Sequence, residues 1–570
     1  MRIIGLSVKD QTAKIEADIA GPFASAISLL REPKLRLLDR RPIELNAPSG
    51  DMSGKLTISL PLETWIGIDD IAIQVAAKLN QVHLSGLVAG RDIDRGQFDL
   101  TATNDELTIK GDTLVAGIQA RIEGVMSFKG GPPSAERQRI TATGRPTAAQ
   151  LTATGLDSFG VLTGEIGMQA VYAERGGGDA DLTVNADFAS TAVTVQPLAW
   201  QKPPGASAHG GAKVILKNNR MMAIDAIAAE GGGLNLRAAA AVTDGKISAV
   251  RLDRLVLGQS DVRGTVQFPP RGPIAMDLTG PRLDMAAKLT EPRTKRDKTK
   301  PEPPPDPPWT LDGRFERVLL ARGQAATNVK VNVTHDGRVT RSLSVSGTTS
   351  GAAAGGAAAG GSAPFTMTIA PNSPTSRLLT VTAADGGAWL RGLDLVASVE
   401  GGRLSAKGNY DDTTPEHILS ATAEMEDFRV RGAMALGKLL QAMTFYGLVD
   451  VMSGSGLNFY RLVAPFQLDD DGLLLKDARA FSSSLGLTAK GRIDPNGERL
   501  DIEGTIVPAY FFNSLLGQIP LIGKLFSPEK GGGLFAARYT LRGLASDPSV
   551  FVNPLSVVTP GFLREVFGIF

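Results

Sequence analysis

The chain has 570 residues, with 60 Lys and Arg against 59 Asp and Glu, 65 Gly, 34 Pro, 4 His and no Cys. The near-cancelling charge excludes an overall basic footprint for nucleic acid. A hydrophobic share of 42% excludes wholesale disorder, and the missing cysteines exclude disulfides, thiolate zinc sites, iron–sulfur clusters and cysteine nucleophiles. At roughly 150 residues per domain the length suits about four domains, or one long repetitive β-structure.

In chain order, Met1-Arg2-Ile3-Ile4-Gly5-Leu6 leads at once to Lys9, Asp10 and Lys14. The apolar core of ~7–15 residues that marks a signal peptide is missing there. No stretch reaches the ~18–20 apolar residues of a membrane span. An envelope protein built this way needs its address upstream of Met1 or in a partner.

Period-2 alternation, as in Lys55-Leu56-Thr57-Ile58-Ser59-Leu60, recurs along the chain and predicts a sheet with one apolar and one polar face. A signature of five residues ending in glycine repeats: Leu107 to Gly111, Ile140 to Gly144, Leu151 to Gly155, Leu343 to Gly347, Leu404 to Gly408 and Leu487 to Gly491. It predicts a strand that ends at the glycine, where the chain bends or bulges. The charged, proline-rich run Glu291 to Pro308 reads as a linker or exposed loop, and the Ala/Gly tract Gly347 to Ala363 as a flexible loop.

The last third changes character. From Met434 to Met452 the apolar residues Leu436, Leu440, Met443, Gly447 and Val451, flanked by Leu439, step at helical spacing. Asp469-Asp470-Asp471-Gly472 reads as a hairpin turn rather than a carboxylate site. In the hairpin Leu485 to Thr505, Leu485, Leu487, Ala489 and Ile493 share a face, Pro495-Asn496-Gly497-Glu498 turns the chain, and Leu500, Ile502 and Ile506 return on one face. Two further apolar segments hold Phe511, Phe512, Leu515 and Leu516, then Phe567 near the end. Each of the three amphipathic or apolar segments suits a membrane surface or the cap of an open sheet.

The chemistry is sparse. His83, His209, His335 and His417 lie far apart, each without a second ligand-type residue at metal-binding spacing. Gly432 to Lys438 approaches a phosphate-binding loop, but Leu439 stands where a Ser or Thr hydroxyl must meet magnesium. Neither a catalytic constellation nor a metal or cofactor site emerges, and an enzyme is the least favoured class.

A specific pattern closes the chain: Gly504-Thr505-Ile506-Val507-Pro508-Ala509-Tyr510, Asn513-Ser514-Leu515-Leu516-Gly517 and Ile519-Pro520-Leu521-Ile522-Gly523. Gly533-Leu534-Phe535, Asp547-Pro548-Ser549-Val550, Asn553-Pro554-Leu555-Ser556 and Thr559-Pro560-Gly561-Phe562-Leu563-Arg564 follow. This region resembles the C-terminal part of AsmA-like proteins of the YhdP branch, and Gly21 to Leu45 resembles the preceding part of that family. The resemblance implies a periplasmic, membrane-associated protein of Gram-negative bacteria, anchored at the inner membrane. It would conduct phospholipid toward the outer membrane through a long, curved, antiparallel, U-shaped β-groove.

The resulting organisation is a β-groove segment over 1–290, a linker over 291–308, a second segment over 309–422 and the AsmA-like C-terminal region over 423–570. Leu485, Leu487, Ile493, Leu500, Ile502 and Ile506 are groove candidates. Leu436, Leu439, Leu440, Met443, Val451, Phe511, Phe512, Leu515, Leu516 and Phe567 are membrane-facing candidates. The implied partners are phospholipid, both membrane surfaces and a separate inner-membrane anchor or envelope protein, without nucleic acid. A charge at Leu487 or Ile502 is expected to block lipid without unfolding the chain. The alternative is a scaffold for outer-membrane proteins that captures client strands at open sheet edges. A third reading, a surface adhesin, requires secretion.

Overall fold

The structure is a computed structural model. It describes residues 2–4, 11–30, 46–63, 66, 70–88, 91–154, 160–218, 220–292, 304–351, 361–442, 456–483, 485–508 and 537–553. The fold is mainly β, with 69% strand and 9% helix, and its sheet is not closed into a barrel. The chain divides into two compact units, Met1–Gln196 with Trp200–Gly258, and Pro197–Ala199 with Gln259–Phe570.

The first unit holds β1 (Arg2–Ile4), β2 (Thr12–Pro22), β3 (Asn46–Pro61), β4 (Ala72–Val88), β5 (Arg91–Thr103), β6 (Glu106–Val115), β7 (Ile118–Ser127), β8 (Glu136–Gly144), β9 (Leu162–Gly164) and β10 (Gly167–Arg175). It continues with β11 (Asp179–Asp187), β12 (Thr191–Val195), β13 (Trp200–Lys202), β14 (His209–Lys217), β15 (Arg220–Gly231), β16 (Leu234–Thr243) and β17 (Lys246–Leu257). β1 to β8, β10, β11 and β14 to β17 each pair antiparallel with the next in that order. β9, β12 and β13 form a small separate sheet. The helices are α1 (Phe23–Leu30) and α2 (Ala148–Ala153), the latter opened by a capping box of Thr147 and Gln150.

The second unit holds β18 (Ser260–Gln267), β19 (Ile274–Asp284), β20 (Trp309–Leu319), β21 (Ala325–His335), β22 (Thr340–Gly351), β23 (Gly361–Ser373), β24 (Ser376–Ala383) and β25 (Val399–Asp411). Then come β26 (Leu419–Val430), β27 (Leu457–Asp469), β28 (Gly472–Ser482), β29 (Leu485–Ile493), β30 (Arg499–Pro508), β31 (Ala537–Leu544) and β32 (Ser549–Asn553), with α3 (Ala286–Leu289), α4 (Gly386–Gly392) and α5 (Met434–Ala442). Successive strands pair antiparallel with one exception: β19 and β20 are parallel. The sheet is otherwise antiparallel, as expected. A parallel neighbour requires a crossover of a dozen or more residues, and the stretch 285–308, with the proline-rich run inside it, supplies that length. Of that run, 304–308 are exposed, and the Asp306 N–H donates to the Gly337 carbonyl at 3.1 Å.

Antiparallel alternation sorts the connections of the second unit by edge. α3, α4 and α5 all follow strands that end on one edge. The opposite edge is closed by tight turns at Ser373–Ser376, Asp469–Gly472, Ile493–Arg499 and Leu544–Ser549. The turn at Asp469 is as expected: the Asp471 N–H donates to the Asp469 carboxylate at 2.9 Å, and Gly472 takes a positive φ of 116°.

Two expectations are revised. Both ends of the Ala/Gly tract are strand rather than loop, since β22 runs to Gly351 and β23 starts at Gly361, and 352–360 lie outside the described residues. The signature glycines mostly lie inside strands: Gly111, Gly347, Gly408 and Gly491 are internal, only Gly144 is terminal, and Gly155 lies outside the described residues. The reason is cross-strand crowding. A Cβ on Gly491 would collide with the Asp501 carbonyl oxygen, and one on Gly408 with Ala421. Glycine allows the neighbouring strand to approach.

Candidate apolar lipid face

In paired strands, directly opposed residues share a face and alternate residues along one strand share it too. Reading the registers across the first unit gives one uninterrupted row: Ile19, Gly54, Ala77, Leu100, Ile109, Gly124, Ile140, Tyr172, Leu182, Val214, Ile224, Ala240 and Val250. A second row beside it, Met52, Leu79, Phe98, Gly111, Ile122, Ala142, Ala170 and Val184, is equally apolar.

The second unit repeats the pattern through every strand: Val266, Met276, Leu311, Val333, Leu343, Ile369, Leu379, Gly408, Ala421, Phe466, Leu475, Gly491, Ile502, Leu541 and Val550. Two of the signature glycines stand in this row. One residue along each strand, the other face reads Asp277, Asp312, Asn332, Ser344, Thr368, Thr380, Lys407 and Thr422. Cross-strand ion pairs stud that polar face, including Lys490 with Glu503 at 2.9 Å and Arg542 with Asp501 at 2.9 Å, and in the first unit Lys110 pairs with Glu123 across strands at 2.8 Å.

The apolar faces differ in how far protein covers them. In the first unit α1 lays Phe23 and Ile27 onto Leu79, Val82, Leu84, Ile93 and Phe98, and this cluster reaches Ile122 on β7. Beyond it, Ile140, Tyr172, Leu182, Val214, Ile224 and Val250 remain half-buried. In the second unit one cluster joins Val262 on β18 to Leu541 on β31, with Leu439 and Leu440 of α5 inside it.

All six groove candidates belong to that second cluster. Leu485, Ile502 and Ile506 are buried, while Leu487, Ile493 and Leu500 pack against them half-buried. Their shared face is as the alternation predicted, and Arg499, Asp501 and Glu503 point away. Ile502 and Ile506 already contact protein, however, so a charge at Ile502 is a buried unpaired charge. The expectation that it would leave the fold intact is withdrawn.

The membrane-facing assignment is likewise corrected for the described part of α5. Leu439 and Leu440 are fully buried and Leu436 packs beside them, because the helix covers the sheet rather than solvent or lipid. Lys438 seals this arrangement, its ammonium bound to the Asp547 carboxylate and, at 3.1 Å, to the Pro548 carbonyl. Met443, Val451, Phe511, Phe512, Leu515, Leu516 and Phe567 lie outside the described residues.

Sequence spacing missed two histidine clusters, since each closes through a neighbouring strand or turn. Nδ1 of His83 meets Asp94 of β5 at 2.6 Å, and its Nε2 meets Ser85 at 3.1 Å. His417 contacts Asp412 at 3.0 Å beside a buried Arg377–Asp412 pair at 2.7 Å, with Arg377 stacked over Tyr410. Recognising the bulged β4–β5 hairpin would have brought His83 and Asp94 together.

Among the described residues no group of three potential ligands could hold a metal ion, and no helix is long and apolar enough to cross a membrane. Comparison with protein-family models and with curated proteins gives no match.

Proposed function

We propose that this chain binds phospholipid by its acyl chains along the apolar face and conducts it between the inner and outer membranes of a Gram-negative envelope. It would be held at the inner membrane by an anchor or partner. The observation that carries the reading is the unbroken apolar row of the first unit, in which Ile140, Tyr172, Leu182, Val214, Ile224 and Val250 stay half-buried beside a buried Ala240. A one-faced sheet normally buries that face against another element. Here acyl chains would complete the core.

Each buried methylene contributes about 0.8 kcal/mol, so a lipid tail is held firmly. Sliding by one strand exchanges like contacts for like, because apolar contact is non-directional. No catalytic group is needed for passage. The resemblance of the C-terminal region to AsmA-like proteins supports the same reading.

The test is mass spectrometry of lipid co-purifying with the chain made in bacteria. Stoichiometric phospholipid is expected on the wild type, and a Val214→Glu, Ile224→Glu variant should lose it while keeping its far-ultraviolet circular dichroism. Thr183→Glu, on the polar face, should retain it. A folded, lipid-free wild type that captures unfolded outer-membrane barrel proteins would favour the scaffold instead.

A further inference from the structure

The polar face of the first unit carries a serine, a histidine and a carboxylate in hydrogen-bonded sequence. Ser85 Oγ stands 3.1 Å from Nε2 of His83, and Nδ1 of His83 stands 2.6 Å from Oδ1 of Asp94. His83 and Ser85 are two residues apart on β4 and share its outer side. Val82 and Leu84 between and beside them are buried in the apolar cluster, as is Ile93 next to Asp94. The group therefore faces away from the lipid row.

Neighbouring groups hold it in place. The Thr113 hydroxyl, itself buried, donates to the Asp94 carbonyl at 2.9 Å. The Gly86 N–H donates to Asp92 Oδ1 at 2.9 Å, fixing the residue after the serine. The backbone here departs from regular sheet. Ala47, Gln81 and Arg95 adopt positive φ of 46°, 51° and 52°, and the β4–β5 register shifts three times between Leu79 and Val88. Non-glycine residues adopt that region only under strain, and bulges re-aim side chains. The flanking β3–β4 and β5–β6 ladders are bulged here as well, while β6–β7 beyond them keeps one register throughout.

We propose that Ser85 is a nucleophile, with His83 as its general base and Asp94 as the positioning residue, that accepts the acyl group of a small, water-soluble carboxylic ester. The Oγ lone pair bonds to the carbonyl carbon while Nε2 takes the hydroxyl proton. Collapse breaks the ester C–O bond, and the leaving alcohol takes the proton from Nε2. Water, deprotonated at the same nitrogen, then cleaves the acyl-serine and releases the acid. Asp94 holds the imidazole with Nε2 toward the serine. Side-chain exposures of 33% for His83 and 44% for Asp94 place the site in solvent, so substrate arrives independently of the lipid path. The Gly86 amide, adjacent to the nucleophile, is committed to Asp92. The acceleration therefore rests on nucleophile and base, and activated esters are the substrates.

The experiment treats the full chain with a fluorophosphonate probe and, separately, with p-nitrophenyl acetate. The expected result is covalent probe on the Ser85 peptide, with ester turnover. Both should fall by about 10²-fold or more in Ser85→Ala and His83→Ala, the lower range for a lost general base. Asp94→Glu should keep labelling that Asp94→Asn loses, a distinction that a merely structural contact would not make. If His83→Ala does not fold, His83→Gln replaces it, with circular dichroism as the check. An unlabelled Ser85 in the folded wild type, or a labelling rate unchanged in the histidine variants, overturns the assignment.

Discussion

At the scale of single residues, the buried ion pair at the tight-turn edge of the second unit sets the clearest expectation. Arg377 donates to both carboxylate oxygens of Asp412 at 2.7 Å and to the Thr340 carbonyl at 2.9 Å. Removing one partner leaves the other charged and buried, so Arg377→Met is expected to cost roughly 3–5 kcal/mol, measured by urea unfolding. The hydrogen bond from Arg377 holds the Asp412 carboxyl below its ordinary value. Burial pushes Asp336 up, but the N–H groups of Val339 and Arg338 and the Arg341 guanidinium outweigh it and hold that carboxyl at about 2. Both depressed carboxyls stabilise the fold fully above about pH 4, the unfolded value. That contribution is lost as pH falls below it, for Asp336 through about 2. Unfolding midpoints at pH 7, 4 and 2 should fall in that order, and Arg377→Met should flatten the part due to Asp412. A second residue-scale case is Gly491, at φ 136° against the Asp501 carbonyl. Gly491→Ala should destabilise by about 1–3 kcal/mol.

At the scale of elements, α5 shows how an amphipathic pattern is used. The apolar stripe over Leu436, Leu439 and Leu440 was legible, but a stripe specifies only that something apolar covers it. The covering partner is the sheet, at β32, whose Val550 and Val552 pack against the same cluster as Leu439 and Leu440. Leu440→Ala should therefore cost roughly 2–5 kcal/mol as a cavity in the core. Lys438→Met should cost at most about 1 kcal/mol, since the pair with Asp547 is solvent-exposed. Thermal melts of the two variants separate these outcomes, and a membrane-facing helix would show the reverse ranking.

At the scale of the molecule, the covered and uncovered parts of the apolar face divide the expected effects of charge. Ile502→Glu should unfold the second unit, with loss of its cooperative transition. Ile224→Glu should leave the first unit folded and lower bound lipid several-fold, read by lipid mass spectrometry. Equal effects at both positions would mean that lipid does not discriminate between the two faces.

The sequence by itself determined the strand-rich class, the two-faced alternation, the hairpin at Pro495-Asn496-Gly497-Glu498 and the shared face of Leu485, Leu487, Ile502 and Ile506. Those features rest on periodicity and turn chemistry, which act between near neighbours. Only the tertiary structure decided which apolar residues are already covered, because burial depends on strands and helices far apart in sequence. It also decided the parallel β19–β20 pair, the placement of the signature glycines within strands against a crowding neighbour, and the meeting of His83 with Asp94. Each of these depends on cross-strand register, and one residue of slip exchanges the two faces of a strand.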